Sequence, residues 1–188
     1  MDVIEFFELS AGKWFSQRTV HYLNSGELQA GKSELKIEIL TATEPAVVKL
    51  CQQHSIDPNS TGLTSVRVSW EGTPDRTEQK QIGSTILAVL PNADNPREGK
   101  LLQDKGNTRY VMGCDDVLTL ITESETIHAE ERLWYLIPNL RLRTSVVKEA
   151  NGNEQASFCS EIRMGAICVI CYLLFVICYL LFLVTNNQ

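Results

Sequence analysis

The chain has 188 residues and a formal net charge of -6, and 44% of its residues are hydrophobic. This size fits a single domain with a well-buried core, and the acidic balance argues against a general nucleic-acid-binding protein. The N-terminus is acidic and lacks the pattern of a secretory signal. We therefore expect the six cysteines to be reduced thiols in a reducing compartment.

The chain is predicted to begin with a short helix and two strands. The first eleven residues have hydrophobic side chains at loosely helical spacing, and Gly12 follows them as a helix end. Residues 15–22 and 34–40 alternate apolar and polar side chains, which predicts strands with one buried face. A second helix is predicted over residues 46–54, with Thr43 as its N-cap.

After the second helix, the sequence predicts a run of short strands separated by polar turns, which gives about ten strands in all. Many short strands in meander order favour a closed antiparallel barrel over a sandwich, because closure removes both edges. A barrel of eight or more strands can hold one small ligand. These later strands are predicted at residues 63–71, 79–90, 100–103, 108–112, 117–123, 125–135, 140–149 and 155–164.

The last two predicted strands form a hairpin that carries many charges. They flank the sequence Asn-Gly-Asn at residues 151–153, which is a strong hairpin signal. A two-residue loop would turn Glu161 away from Arg143, whereas a three-residue loop over residues 151–153 pairs Arg143 with Glu161. We favour the three-residue loop because it collects the charges on one face, with Arg141 opposite Arg163. That face holds Arg141, Arg143, Ser145, Glu161 and Arg163.

Two interpretations of this polar face are open from the residues alone. The commoner fate of strand arginines is a solvated outer face of an antiparallel sheet. The alternative is a ligand site, and residues 132–163 carry two more basic than acidic side chains in an otherwise acidic protein. A locally basic hairpin of this kind suits a small anionic ligand better than a polyanion.

Residues 166–184 differ from the rest of the chain, because they are uncharged and long enough to cross a bilayer as a helix. The heptad VICYLLF occurs there twice in tandem, and the pair Cys168 and Cys171 within this run is interpreted as packing. We give equal weight to two interpretations of this segment: a membrane anchor, and an added or frameshifted tail without a role. The predicted organisation is therefore a barrel over residues 1–165, an apolar tail over 166–184 and a polar end over 185–188.

Four motifs spread over both ends of the folded part carry a family resemblance. They are FFxxSxGxWxSxRT from Phe6, RxW from Arg132, NLRLRxS from Asn139 and SFCSEIR from Ser157. Together they resemble the S-type phycobiliprotein chromophore lyases (CpcS/CpeS type) over residues 1–165. The resemblance implies a calycin (lipocalin-like) barrel that attaches a linear tetrapyrrole, or bilin, to a cysteine of a phycobiliprotein subunit through a thioether bond.

The resemblance and the chemistry of a bilin together indicate the site residues. A bilin has two propionates, which suit the planar fork of arginine, and pyrrole nitrogens that a carboxylate can hold in the protonated form. The predicted catalytic carboxylates are Glu161, the first choice, and Glu131, the second. The predicted bilin-binding residues are Arg18, Arg141 and Arg143 for the propionates, Trp70 and Trp134 for the flat ring system, and also Asn139 and Ser145.

The tryptophans have structural alternatives. Trp14 follows Gly12 as in the G-x-W signature of calycin barrels, so it is interpreted as a plug at one barrel end with Arg163 or Arg143 packed on it. Trp70 suits a core position equally well. Trp134 lies in a strand whose orientation is ambiguous, because charged residues precede it.

The expected partners are an apo-phycobiliprotein alpha or beta subunit and the bilin, either phycocyanobilin or phycoerythrobilin, as substrate; no prosthetic group, metal or nucleic acid is expected. A homodimer, a second lyase chain and membrane contact through residues 166–184 are left open. The resemblance implies the cyanobacterial cytoplasm or the plastid stroma as the location. Two alternatives to a lyase are a non-catalytic carrier of bilins or lipophilic anions, and a membrane-anchored scaffold that has lost its chemistry.

Overall fold

The protein is a closed barrel of ten antiparallel strands, seen in a computed structural model that describes residues 1–74, 80–104 and 107–165. Each strand pairs with its neighbours along the chain, and the first pairs with the last to close the barrel. This confirms the predicted all-β barrel with two short helices. The elements are α1 (Val3–Ser10), β1 (Gly12–Tyr22), β2 (Glu27–Leu40), α2 (Pro45–Gln53), β3 (Thr64–Pro74), β4 (Gln81–Pro91), β5 (Glu98–Leu102), β6 (Asn107–Met112), β7 (Leu118–Glu123), β8 (Ile127–Ile137), β9 (Leu140–Glu149) and β10 (Glu154–Arg163).

Two local predictions need correction. Strand β2 begins at Glu27, seven residues before the predicted start at Glu34, because its first half pairs fully with β1 although its residues are mostly polar. The N-cap of helix α2 is Glu44 and not Thr43, and the Glu44 side chain makes no capping hydrogen bond. Pro45 is the first residue of the helix. The predicted apolar helix over residues 166–184 lies outside the described residues. Within the described ranges, neither helix has the length and apolar character needed to span a membrane.

Helix α1 closes one end of the barrel. Its N-terminus has a capping box, in which the Asp2 carboxylate accepts from the Glu5 backbone N–H at 2.8 Å and the Glu5 carboxylate accepts from the Asp2 N–H at 2.8 Å. Val3 and Phe6 are buried in the main core with residues from the barrel wall such as Met112. The apolar face of α1 therefore fills this end of the lumen. We call it the closed end.

Trp14 joins α1 to the barrel. Its indole N–H donates to the Ser10 carbonyl at 2.8 Å, and its side chain is fully buried. The Arg163 guanidinium lies 4.2 Å from the ring centroid and donates to the carbonyls of Leu9 and Ala11. The predicted plug is confirmed, and of the two arginines predicted to pack on it, Arg163 does so. The last turn of α1 is thereby fixed to both β1 and β10.

Helix α2 does not contact this main core. It packs on the outer surface of the barrel, where Leu50 forms a second small core with Ala88 and Leu102. The two helices therefore have different roles: α2 covers part of the wall, and α1 fills the closed end.

The β9–β10 hairpin has the predicted loop length but a different register. The Glu149 N–H donates to the Asn153 carbonyl at 2.9 Å, so the three-residue loop is 150–152, one residue earlier than expected. Arg141 consequently lies opposite Glu161 and Arg143 opposite Cys159, so the predicted Arg143–Glu161 and Arg141–Arg163 pairs are wrong. The shift is an even number of residues along the partner strand, so the same side chains still share one face.

Replacing Gly12 by Ala is expected to destabilise the fold. Gly12 has φ +124°, and a Cβ there would lie 2.9 Å from an Arg163 guanidinium nitrogen, so both backbone strain and a clash act on the closed end. We expect the free energy of unfolding to fall by about 2–4 kcal/mol. Gly152→Ala is the matched control, because Gly152 has φ +89° and its Cβ would meet nothing within 4 Å. Urea unfolding of both variants measures the difference, and equal losses would contradict the proposed clash with Arg163.

Candidate functional site

In the half of the lumen away from α1, several inward-facing side chains reach solvent, although Val20 and Ser157 on the same wall are buried. Arg18 shares the inward face of β1 with the buried Trp14 and Ser16, yet Arg18 itself is exposed. Trp70 shares the inward face of β3 with the buried Val66 and is 36% exposed. Inward-facing side chains reach solvent only where the barrel is not filled. We call this part the open half.

A buried ion pair lies at the boundary between the closed end and the open half. Arg141 Nε donates to Glu161 Oε2 at 2.6 Å, and both side chains are almost completely buried. Arg141 also donates through Nη1 to Ser10 Oγ at 2.8 Å and lies 5.1 Å from the Trp14 ring centroid. Its guanidinium is therefore held by protein groups. The prediction that Arg141 binds a propionate does not fit this placement, because the fork needed for the propionate is already engaged.

The second oxygen of Glu161 has no hydrogen-bond partner among the described residues. Glu161 is 0% exposed, and its Oε1 lies 3.8 Å from an Arg143 nitrogen, which is close enough for electrostatic attraction but too long for a hydrogen bond. A buried carboxylate oxygen left without a donor is costly, and such an atom calls for a specific explanation. One explanation is that a ligand in the open half supplies an N–H donor to this oxygen.

Arg143 lies between two carboxylates and remains accessible. Its guanidinium is 3.8 Å from both Glu131 Oε2 and Glu161 Oε1, it donates to the Cys159 thiol at 3.7 Å, and its side chain is 32% exposed. Burial acts to lower the pKa of Arg143, but the negative charges of Glu131 and Glu161 outweigh it and raise the pKa. Arg143 is thus a permanent cation facing the open half, and its bonds to protein are long enough to be exchanged for a ligand.

Ser145 and Trp70 are also placed on the inward face. The hydroxyls of Ser145 and Ser157 hydrogen-bond across β9 and β10 at 2.7 Å, one pair further from the closed end than Arg143. The Trp70 indole lies over Gly83 on the neighbouring strand, in the space where a Cβ would stand. Gly83 is not among the predicted site residues, although an isolated glycine within a strand pattern signals a close approach of this kind.

Two predicted bilin-binding residues are not brought to this site. Trp134 alternates with Leu133 and Tyr135, which pack in the core, so its side chain lies on the outer face of β8. Asn139 lies in the exposed β8–β9 turn at the closed end, where its carbonyl accepts from the Arg163 N–H at 3.0 Å. Glu131 does reach the site, since its neighbour on the same face is the buried Leu133 and its carboxylate approaches Arg143.

The arrangement defines a class of protein: a ligand-binding barrel with one closed end and an open half that carries accessible arginines, two carboxylates and a tryptophan face. Arg18 and Arg143 can bind carboxylates, Glu161 and Glu131 can accept from N–H groups, and Trp70 offers a flat apolar surface. A ligand that can bind the arginines, the carboxylates and the tryptophan face together is flat and largely apolar, with anionic groups and N–H donors.

Comparisons with known proteins identify the family. The model of the CpeS-like protein family matches residues 2–164, so the chain belongs to that family. It is 56% identical over 170 residues to chromophore lyase CpcS/CpeS 1 of Trichodesmium erythraeum, covering 87% of this chain and 98% of the relative. It is 49% identical over 172 residues to chromophore lyase CpcS/CpeS of Thermosynechococcus vestitus, covering 88% and 94%. The structure of the S-type phycobiliprotein lyase CPES from Guillardia theta superposes with a TM-score of 0.82 at 33% identity, covering 88% of this chain and 94% of that one.

Proposed function

We propose that this protein is a phycobiliprotein chromophore lyase that binds a bilin in the open half of the barrel and presents it to a cysteine of an apo-phycobiliprotein subunit. The relatives are named chromophore lyases, which supports the reaction class over a simple carrier. The site supplies what a bilin requires, and its working compartment would be the cyanobacterial cytoplasm or the plastid stroma.

The observation that carries the proposal is that Glu161 Oε1, beside the accessible Arg143, has no hydrogen-bond partner in the part of the chain that the structure describes. In the proposed complex the pyrrole N–H groups donate to Glu161 Oε1, and Glu131 provides a second carboxylate. The propionates bind to Arg18 and Arg143, and the ring system lies on Trp70. Each of these contacts satisfies a group that is either buried without a donor or exposed within the lumen.

The reaction adds a thiol across a carbon–carbon double bond. The cysteine sulfur of the acceptor subunit bonds to the ethylidene carbon of ring A, the double bond is lost, and the thiol proton is balanced by a proton taken up on the bilin; nothing is oxidised or reduced. A carboxylate that keeps the pyrrole nitrogens protonated makes ring A more electrophilic. The barrel contributes a fixed bilin geometry and exclusion of water, which favour one product over the slow unassisted addition.

A non-catalytic carrier is the second candidate. A carrier of lipophilic anions needs one carboxylate clamp, whereas this lumen combines two accessible arginines with two carboxylates. The extra acids add nothing to the affinity for a simple anion and repel it, because like charges are then brought together. The charge arrangement therefore favours a ligand with both anionic groups and N–H donors.

The proposal is tested by producing the protein together with an apo-phycobiliprotein subunit and phycocyanobilin. We expect coloured subunit that stays coloured on a denaturing gel, because a thioether survives denaturation, and we expect more of it than in the same strain without the barrel. Bilin bound to the barrel without a coloured subunit would favour the carrier. No bound bilin and no colour beyond the spontaneous background would overturn both.

A further inference from the structure

Ser10, at the end of α1, is joined to the lumen carboxylate by a continuous chain of buried contacts. It belongs to the N-terminal motif from Phe6, yet none of the functions assigned so far uses it, and its side chain is 0% exposed. We infer that Ser10 is a positioning residue for Glu161, acting through Arg141, so that the plug of the barrel sets which carboxylate oxygen faces the bilin. The catalytic part of this inference rests on the proposed function.

The Ser10 hydroxyl is fully used. It donates its single hydrogen to the Phe6 carbonyl at 2.8 Å, and it accepts from the Arg141 Nη1 at 2.8 Å and from the Tyr135 hydroxyl at 2.7 Å. One donor and two acceptor lone pairs are the complete capacity of a serine hydroxyl. Its orientation is therefore determined, and the position of its acceptor lone pair for Arg141 is fixed as well.

The backbone that carries Ser10 is fixed to the barrel. Trp14 donates to the Ser10 carbonyl, and Arg163 donates to the carbonyls on either side, Leu9 and Ala11. The last turn of α1 therefore cannot move without breaking contacts to β1 and β10. A hydroxyl held in this way is a rigid reference point for the side chains of β9.

Ser10 prevents the geometry that an isolated arginine–carboxylate pair would adopt. Arginine prefers to bind both carboxylate oxygens with two parallel N–H groups. In the side-on form of this fork the two donors are Nε and Nη2, on one edge of the planar guanidinium. Here Nε binds Glu161 Oε2, and the buried Oε1 has no hydrogen-bond partner among the described residues. Nη1, on the other edge, donates to Ser10 and thereby holds the guanidinium in the orientation that leaves Oε1 unbonded. Without the Ser10 acceptor, the guanidinium is free to rotate toward both oxygens. Oε1 would then be engaged inside the protein and would no longer accept from a pyrrole N–H.

The test compares Ser10→Ala with Tyr135→Phe. Both variants remove one oxygen from the same buried cluster, but only Ser10→Ala removes the acceptor of Arg141. In the ligand-free full chain, the Nε–Hε resonance of Arg141, assigned by its absence in Arg141→Lys, reports the contact with Glu161. We expect this resonance to shift or to be lost by exchange in Ser10→Ala and to keep its position in Tyr135→Phe.

With phycocyanobilin and the apo-subunit, the two variants are expected to differ in rate. At saturating bilin, Ser10→Ala should attach bilin roughly tenfold more slowly while its bilin affinity changes by less than about threefold. Tyr135→Phe should stay within about twofold of the wild-type rate. If both variants lose attachment rate in proportion to their loss of stability, the role of Ser10 is merely structural and the inference is overturned. If Ser10→Ala does not fold, the isosteric pair Ser10→Thr and Ser10→Val makes the same comparison.

The two proposals fail in different ways. If the wild-type chain attaches no bilin, the proposed function is lost, but the Arg141 resonance still decides whether Ser10 positions the pair. If the wild type is active and Glu161→Gln is not, yet Ser10→Ala matches Tyr135→Phe in both resonance and rate, the positioning role alone is wrong.

Discussion

Glu161→Gln is expected to lower the rate of bilin attachment by roughly a hundredfold or more. The glutamine amide has the shape of the carboxylate but no charge, so it cannot hold the pyrrole nitrogens protonated. The absorption spectrum of the bound bilin should shift accordingly, because protonation changes the conjugated system. Attachment kinetics with phycocyanobilin and an apo-subunit give the rate, and the spectrum of the lyase–bilin complex gives the protonation state.

The same substitution also affects stability, and this has to be measured alongside. Removing the charge of Glu161 leaves Arg141 buried without its counterion, which costs on the order of 3 kcal/mol or more. Rates must therefore be compared per folded molecule, with folding checked by urea unfolding. Glu130→Gln is the matched control, since Glu130 is the exposed neighbour of Glu131 on the outer face of β8. A folded Glu161→Gln chain with the rate and bilin spectrum of the control would show that Glu161 does not act on the bilin.

Alternation along the strands predicted which side chains share a face, and this part of the site was accessible from the sequence. Arg143, Ser145 and Glu161 were expected together, and they are together. The loop lies one residue earlier than predicted, but an even shift of register keeps every side chain on its own face. The same alternation leaves open which face points inward. Trp134 is predicted at the site for that reason, although it lies on the outer wall.

The role of Arg141 could not be predicted from its own strand. Arg141 and Arg143 are identical in residue type and share one face, but the first meets Ser10 on a helix 131 residues earlier in the chain and the second does not. Such long-range contacts depend on how α1 fills the closed end, and no local pattern encodes that. The distance of each arginine from the plug decides whether it stabilises the fold or remains available to a ligand.

Arg143→Ala is expected to weaken bilin binding by about ten- to a hundredfold, which is the loss of one or two hydrogen bonds to a charged group. Arg143 is accessible and makes no short hydrogen bond to any residue that the structure describes, so its removal should change the free energy of unfolding by less than about 1.5 kcal/mol. Arg141→Ala is its counterpart on the same face of β9. There the loss of a buried partner leaves Glu161 uncompensated, and we expect a destabilisation of about 3–5 kcal/mol.

The two arginine variants therefore separate binding from stability. Titration of each purified variant with phycocyanobilin, followed by absorbance, gives the dissociation constant, and urea unfolding gives the stability. Arg143→Lys refines the measurement, because lysine keeps the charge but not the planar fork; a weakened dissociation constant in this variant would indicate two-bond recognition of a propionate. If Arg143→Ala binds phycocyanobilin as tightly as the wild type, Arg143 does not belong to the site. Arg18 would then be the remaining accessible arginine of the predicted propionate set.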